Sequence, residues 1–262
     1  MALYFDKFHA TGNDFIVTGS AFNLIENPAG RIKLLCNRHF GIGADGLILC
    51  ESSKVADIKM LYYNSDGSGN TLCANGIRAA AAWGFKHWKL KKNLTIEASD
   101  GIHHATILSS DEDVYRISVS MNDITQITPY KDGFYLNSGS PHFVIPTPDA
   151  DSIEIEKEGK FWRNHERFAP HGTNVNFITL QNSEIRIRTY ERGVEAETLS
   201  CGTGVTAAAA VAAFLQHQTS PDYSFITQGG RLTVSLKNEG ARCKEIVLTG
   251  EAQFVFAGNT IL

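Results

Sequence analysis

The segment TLCANGIRAAAA at residues 71–82 returns as LSCGTGVTAAAA at residues 199–210, and this internal repeat constrains the fold more than any other feature. In both copies a cysteine is followed by two residues, a glycine, two more residues and four alanines. Cys73 and Cys201 stand close to half the chain length apart, as a duplicated chain requires. Each copy is approached through an acidic, glycine-containing stretch, YYNSDGSGN in the first and TYERGVEAE in the second. Each approach follows a period-two strand pattern, DIKMLYY and EIRIRTY.

The alanine runs predict helices over 74–86 and 202–216, with a shorter helix in PAGRIKLLCNR. Alanine on several faces of a helix means burial, because a solvent-facing helix would carry charge along one side. Strand patterns are many: LYFDKF, FIVTGS, GLILCE, LTIEAS, HHATIL and VYRISVS, then HFVIP, NVNFITL, SFITQ, RLTVSL, EIVLTG and AQFVFA. The expected fold is α/β (α+β), with two pseudo-symmetric halves, each a strongly curved, mainly antiparallel sheet wrapped round a central helix. Residues 1–120 plus 251–262 form the half with Cys73, and 121–250 the half with Cys201. The boundary falls near the Met121–Thr128 stretch.

At 262 residues, 43% hydrophobic and 20% charged, the chain has enough apolar content for a sizeable core. A net charge of −4, with Lys and Arg scattered, gives no footprint for nucleic acid or an anionic membrane. MALYFDKFHA lacks the apolar core of a secretory signal and the character of a transit peptide, and the longest apolar run, AAAAVAAFL, is far short of the roughly 20 residues that span a bilayer. A cytoplasmic protein with a small-molecule ligand and no membrane segment is expected. The five cysteines, Cys36, Cys50, Cys73, Cys201 and Cys243, include no CxxC and no zinc-like spacing, so no metal is expected and the thiols read as reduced. In such a compartment the sequon-like NLT at Asn93 carries no glycan. GIGADG at 41–46 fits GxGxxG, but it leads into a strand rather than opening a helix, so it reads as a loop and not as a dinucleotide site.

A cysteine at a helix N-terminus faces unpaired backbone N–H groups and the positive end of the helix dipole, which lowers its pKa from about 8.5 and makes the thiolate accessible. The same N–H groups form an anion site that Gly76, Gly202 and Gly204 let a ligand approach. Two such ends facing one cleft place two like acid/base groups on opposite sides of a bound carbon. One can take its proton while the other returns one, which is racemisation or epimerisation. The pair titrates as a coupled unit. Cys36, Cys50 and Cys243, outside the repeat, read as buried packing.

The chain resembles the diaminopimelate epimerase family, through GNDF at 12–15, NRHFGIGADG at 37–46, NSDGS at 64–68, CANGIR at 73–78, SPHFV at 140–144, NVNF at 174–177, and ERG followed by ETLSCGTG. The resemblance implies a pyridoxal-independent, cofactor-free isomerase that interconverts LL- and meso-diaminopimelate, in lysine and peptidoglycan-precursor synthesis, as a homodimer. It implies Cys73 and Cys201 as the catalytic pair. It further implies Asn13, Asn64, Asn174, Glu191, Arg192 and the main-chain groups of Ala74, Asn75, Gly202 and Thr203 as substrate contacts. Arg192 and Glu191 suit the carboxylate and ammonium of the distal end. Glu191 is also implied as a modulator of the thiol pKa values, and His142 as an auxiliary residue of the site. Four departures stand out: CANG for the usual CGNG; GSPH for GNPH, so that Ser140 replaces an asparagine; Gly46 where some members have glutamine; and one extra residue in ERGVEAETLSCG. Two alternatives remain open, a racemase of another amino acid on the same scaffold and a thiol redox or ligand-binding protein.

Overall fold

The protein is described by a computed structural model covering residues 2–19, 27–69, 71–181 and 184–261. Ser20, the last residue of the expected FIVTGS strand, and Asn70 of the approach to Cys73 lie outside them. The chain divides into two compact units, one running to Val119 and resuming at Gly250, the other comprising Ser120–Thr249.

The first unit contains β1 (Ala2–Ala10), β2 (Asn13–Thr18), α1 (Pro28–Cys36), β3 (Gly46–Glu51), β4 (Ile58–Asn64), α2 (Ala74–His87), β5 (Asn93–Ala98), β6 (Gly101–Asp111) and β7 (Val114–Ser120). The second contains β8 (Ile127–Tyr130), β9 (Gly133–Asn137), β10 (Pro141–Pro146), α3 (Ile155–Arg163), β11 (Asn174–Gln181), β12 (Glu184–Glu191), β13 (Ala196–Thr198), α4 (Gly202–Gln216), β14 (Asp222–Thr227) and β15 (Gly230–Asn238). The last strand, β16 (Cys243–Ile261), belongs to the second unit up to Thr249 and to the first from Gly250.

The duplication is visible as the same order of pairings. In the first unit β1–β2 is antiparallel, β2–β3 parallel, β3–β4 antiparallel, β4–β5 parallel and β5–β6 antiparallel. In the second, β9–β10, β10–β11, β11–β12, β12–β14 and β14–β15 repeat that alternation. Parallel neighbours need a crossover, and the helices supply it: α1 and α3 bridge the first parallel pair of each unit, α2 and α4 the second. In the first unit β16 pairs with both β7 and β1, which closes the sheet on itself. In the second unit the segment leading into β8 bonds back towards β16 through an Ile124–Cys243 bridge.

Each sheet wraps its alanine-rich helix. Helix α2 packs against β1 to β6, and α4 against β9 to β12 and β15. Every residue of α2 from Ala74 to Gly84, and of α4 from Gly202 to Ala213, is buried. Small side chains let the strands approach these helices from all sides, so near-continuous alanine is the sequence consequence of a central helix. The outer faces carry a second apolar layer. Leu47 and Leu49 of β3 join α1, and Val175 and Phe177 of β11 join α3. Side chains alternate across a strand, so Asn174 and Asn176 of β11 occupy the other face.

Cys36, Cys50 and Cys243 are buried, and burial raises each thiol, to about 12 for Cys36 and about 11 for Cys243, as packing residues require. The GIGADG loop ends where β3 begins and opens no helix. Among the described residues five elements lack a counterpart in the sequence reading: β8, β9, α3, a 3-10 turn at Glu166–Phe168 and the three-residue β13. EIVLTG and AQFVFA, read as separate strands, are stretches of the single nineteen-residue β16.

Candidate active site

In the first unit Cys73 is the N-cap residue of α2, with extended backbone angles (φ −129°, ψ 99°), and its sulfur accepts from the Gly76 N–H at 3.3 Å. Ser, Thr, Asp or Asn usually fills such a position; a sulfur here takes the role of the capping acceptor. Asn13 reaches it from the start of β2. The β1–β2 connection is a two-residue loop, Thr11–Gly12, with φ of 49° and 84°. Positive φ at both positions marks the type I′ hairpin turn, natural for Gly12 and strained for a β-branched threonine.

The turn sets Asn13 with its Oδ1 3.8 Å from Cys73 Sγ, accepting from Asn75 Nδ2 at 3.2 Å. Asn13 Nδ2 donates to Asp45 Oδ2 at 2.9 Å. Arg38 in turn grips Asp14 with both terminal nitrogens, at 3.0 and 2.7 Å, and Asp45 at 2.7 Å. Lys7 Nζ, 2.7 Å from Asp14, also donates to the Gly43 carbonyl. Burial alone would raise the Asp14 carboxyl; the bonds and charges of Arg38 and Lys7 outweigh it and hold the group well below the usual carboxylate range. The NRHFGIGADG loop is thus clamped to the strand that carries Asn13.

Asn64 ends β4, opposite Gly46 in the β3–β4 register, and donates to Ser68 Oγ at 3.0 Å. Glycine at 46 follows from packing: a Cβ there would lie 2.5 Å from the Tyr62 ring and 2.6 Å from the Tyr63 carbonyl.

In the second unit Cys201 is the N-cap residue of α4 in the same extended conformation (φ −124°, ψ 110°). Its sulfur lies 3.4 Å from the Thr203 hydroxyl. That hydroxyl is 2.9 Å from His142 Nε2 and 3.1 Å from Ser140 Oγ, and Ser140 Oγ is itself 2.9 Å from His142 Nε2. On the far side of the ring, Asn176 Nδ2 sits 3.0 Å from His142 Nδ1, and the Asn176 carbonyl accepts from Thr189 Oγ1 at 3.0 Å. With Nδ1 as acceptor, the imidazole carries its proton on Nε2 and points it at the two hydroxyls. Burial foremost, then the positive charge of Arg192, depresses His142 to about 3, so the ring is neutral. The chain packs so closely that a Cβ on Gly204 would come within 2.5 Å of Asn176 Oδ1.

Asn174 braces the neighbouring loop: its amide nitrogen donates to the Pro141 carbonyl at 2.9 Å and Ser140 Oγ at 3.2 Å, and its oxygen accepts from the Arg192 N–H at 2.9 Å. Glu191 and Arg192 stand at the β12–β13 turn, where Glu191 accepts from Thr198 Oγ1 at 3.0 Å. Gly193 (φ 94°) and Glu195 (φ 59°) turn the chain, and Arg163 anchors the Glu195 carboxylate at 2.8 Å. The longer ERGVEAE segment is therefore a braced hairpin.

The first unit gathers Asn13, Cys73, Ala74 and Asn75 at one helix end, with Asn64 at the end of β4. The second gathers His142, Asn174, Cys201, Gly202 and Thr203, with Glu191 and Arg192 tied in through Asn174. Sequence reasoning missed Asn176, Thr189, Asp45 and Arg78. Asn176 had a signal, two asparagines at i and i+2 in an otherwise apolar strand. Among the described residues no group of three or more His, Cys, Asp or Glu side chains is placed to hold a metal ion, and no helix is long and apolar enough to cross a membrane.

Comparisons with known proteins agree with this architecture. The diaminopimelate epimerase family model matches residues 5–126 and 134–255, one stretch in each half. A diaminopimelate epimerase of Flavobacterium psychrophilum is 40% identical over 258 residues, covering 98% of each chain. One from a Hydrogenobaculum species is 34% identical over 281 residues, covering 96% of each. Among solved structures, a phenazine biosynthesis protein of the PhzF family from Bacillus anthracis superposes over the full length of both chains with a TM-score of 0.79 at 17% identity. A hydroxyproline epimerase from Agrobacterium vitis follows with a TM-score of 0.75 at 14% identity, over 100% of this chain and 93% of the other. Those two likenesses speak to the fold. Full-length sequence similarity speaks to descent: the chain belongs to the diaminopimelate epimerase family.

Proposed function

We propose that this protein is an isomerase, a diaminopimelate epimerase, interconverting LL- and meso-diaminopimelate by proton transfer between Cys73 and Cys201 without a cofactor. The observation that carries the reading is that each cysteine occupies the N-cap position of the buried central helix of its own unit. That environment favours a thiolate and offers main-chain N–H groups to a carboxylate.

In the proposed step the thiolate of one cysteine takes the α-proton. The electron pair left on carbon delocalises into the carboxylate held by the helix N-termini, and the thiol of the other cysteine delivers its proton to the opposite face. One S–H bond forms, one breaks, and the two sulfurs exchange protonation states. Acid–base chemistry contributes roughly 10²- to 10⁴-fold. A rate enhancement of about 10⁶ or more needs at least about 8 kcal/mol, so preorganised N–H donors must supply the remainder. Glu191 and Arg192 are proposed to hold the distal ammonium and carboxylate, with Asn13, Asn64 and Asn174 lining the approach. Glu191 and His142 tune the thiols. Activity as a homodimer in the cytoplasm is part of the proposal.

A racemase of another amino acid is the second reading, favoured by Ser140, whose hydroxyl is engaged with His142 and Thr203 where the family pattern has an asparagine. Exchange of the α-proton of LL-diaminopimelate in D₂O separates the two. Wild-type protein is expected to exchange it and to form the meso isomer, with epimerisation lost in Cys73→Ser and Cys201→Ser. No exchange with that substrate, but exchange with a simpler amino acid, would establish the second reading.

A further inference from the structure

The two helix ends differ in one charge. Five residues after Cys73 stands Arg78; five residues after Cys201 stands Thr206, which spends its hydroxyl on the Gly202 carbonyl at 2.9 Å. Arg78 is fully buried, and its guanidinium is held by neutral acceptors: one terminal nitrogen donates to Asn75 Oδ1 at 2.9 Å and to Thr11 Oγ1 at 3.3 Å. Its Nε and the other terminal nitrogen are buried without a hydrogen-bond partner among the described residues. No carboxylate among those residues pairs with it. A buried cation without a counter-ion is costly, and proteins keep one where an anion forms nearby.

We propose that Arg78 is a positioning residue for Cys73: its buried guanidinium orients the Asn75 and Asn13 amides beside the sulfur and holds that sulfur in the thiolate form. This rests on the reading of Cys73 as one of the two proton-transfer groups. The geometry is a chain. Arg78 binds the Asn75 oxygen, so Asn75 must present its nitrogen to Asn13 Oδ1; the Asn13 nitrogen goes to Asp45. Thr11, which takes the other bond from Arg78, is the strained residue of the turn that sets Asn13.

The charges point the same way. Among the described residues Cys73 is the group whose negative charge stabilises Arg78, and linkage makes the benefit mutual. Asn13 Oδ1, an acceptor for the thiol proton at 3.8 Å, pulls in the opposite direction. A neutral S–H contact at that length is weak, whereas a full charge in a buried, low-dielectric setting is not. The cation therefore favours the thiolate at Cys73, a help that Thr206 cannot give Cys201.

The test is the pH dependence of alkylation by iodoacetamide, read as mass on the Cys73 peptide of the full-length protein in a Cys201→Ser background. Arg78→Gln is expected to raise the Cys73 midpoint by about one pH unit or more, the effect of removing an adjacent opposite charge. Arg78→Lys, which keeps the charge, is expected to recover most of that shift. An unchanged midpoint in folded Arg78→Gln, or no recovery with lysine, overturns the proposal. Should the glutamine variant fail to fold, Cys73 in Cys201→Ser must still ionise at lower pH than Cys201 in Cys73→Ser; the reverse order overturns it equally. Alkylation needs no substrate. A midpoint shift without diaminopimelate exchange would sink the proposed function and leave Arg78 in its role, and exchange without a shift would do the opposite.

Discussion

His142 makes the stability of this protein depend on pH in a way that a single substitution isolates. The ring is completely buried, and its pKa falls from the ordinary 6.5 to about 3, through burial and the charge of Arg192. Unfolded chains bind the histidine proton below about pH 6.5 and the folded protein does not. The stability contribution is therefore intact above the unfolded pKa and is lost as pH falls towards the folded one. The slope approaches about 1.4 kcal/mol per pH unit below the unfolded pKa, so between pH 7.5 and 4.5 the wild type loses roughly 2.7 kcal/mol through this residue.

The substitution to examine is His142→Gln, which keeps a hydrogen-bonding side chain between Asn176 and Thr203 but cannot titrate. At pH 7.5 the variant is expected to be less stable by about 1–3 kcal/mol, the cost of imperfect bonds in a buried network. Below pH 6.5 that gap should close, and the two stability curves should meet between about pH 6 and 4.5, where the lost slope equals the initial deficit. Urea unfolding of both proteins across pH 4.5–7.5 measures the difference directly, and other titrating groups cancel in it. A gap independent of pH would refute the reasoning, because it would mean that His142 is protonated in the folded state or exposed to solvent.

Two further outcomes follow from packing and support. Gly204→Ala places a Cβ 2.5 Å from Asn176 Oδ1 and 3.3 Å from Cys201 Cβ. The variant should lose about 1–3 kcal/mol of stability by overpacking, measured by denaturant unfolding, with the His142 chain displaced and activity reduced. Arg38→Ala leaves Asp14 to Lys7 but removes the guanidinium that ties Asp45 to Asp14, and so loosens the carboxylate that fixes the Asn13 amide. We expect kcat/KM for α-proton exchange to fall by about tenfold to 10²-fold while the melting temperature changes little, since misplacement near the reacting atoms costs rate more than stability.

Much of the framework of the candidate site was legible in the chain because it is repeated. A lone cysteine before an alanine run is weak information; two, in matching contexts half a chain apart, locate both helices and both helix ends. The structure begins α2 and α4 at Ala74 and Gly202, the residues after the two cysteines. Strands such as GLILCE and VYRISVS also read directly, since a strand buried on both faces is uninterruptedly apolar and a half-buried one alternates. The elements missed were short, three to nine residues long. β13 is three residues long and exists because β12 is beside it, and α3 carries little apolar signal beyond the face it lays on β11 and β12.

What the sequence determined by itself is local: which segments are helix or strand, where a thiol meets a helix N-terminus, and that this happens twice. Backbone periodicity and capping are short-range effects, and a linear chain displays them. Only tertiary structure decided that Arg78 is buried beside neutral partners, that Asn176 turns the imidazole of His142 towards Thr203, and that Gly46 and Gly204 are glycine because of neighbouring side chains and backbone. Burial, hydrogen-bond direction and the charge a site can sustain depend on residues brought together from distant parts of the chain, and no stretch of sequence contains that information alone.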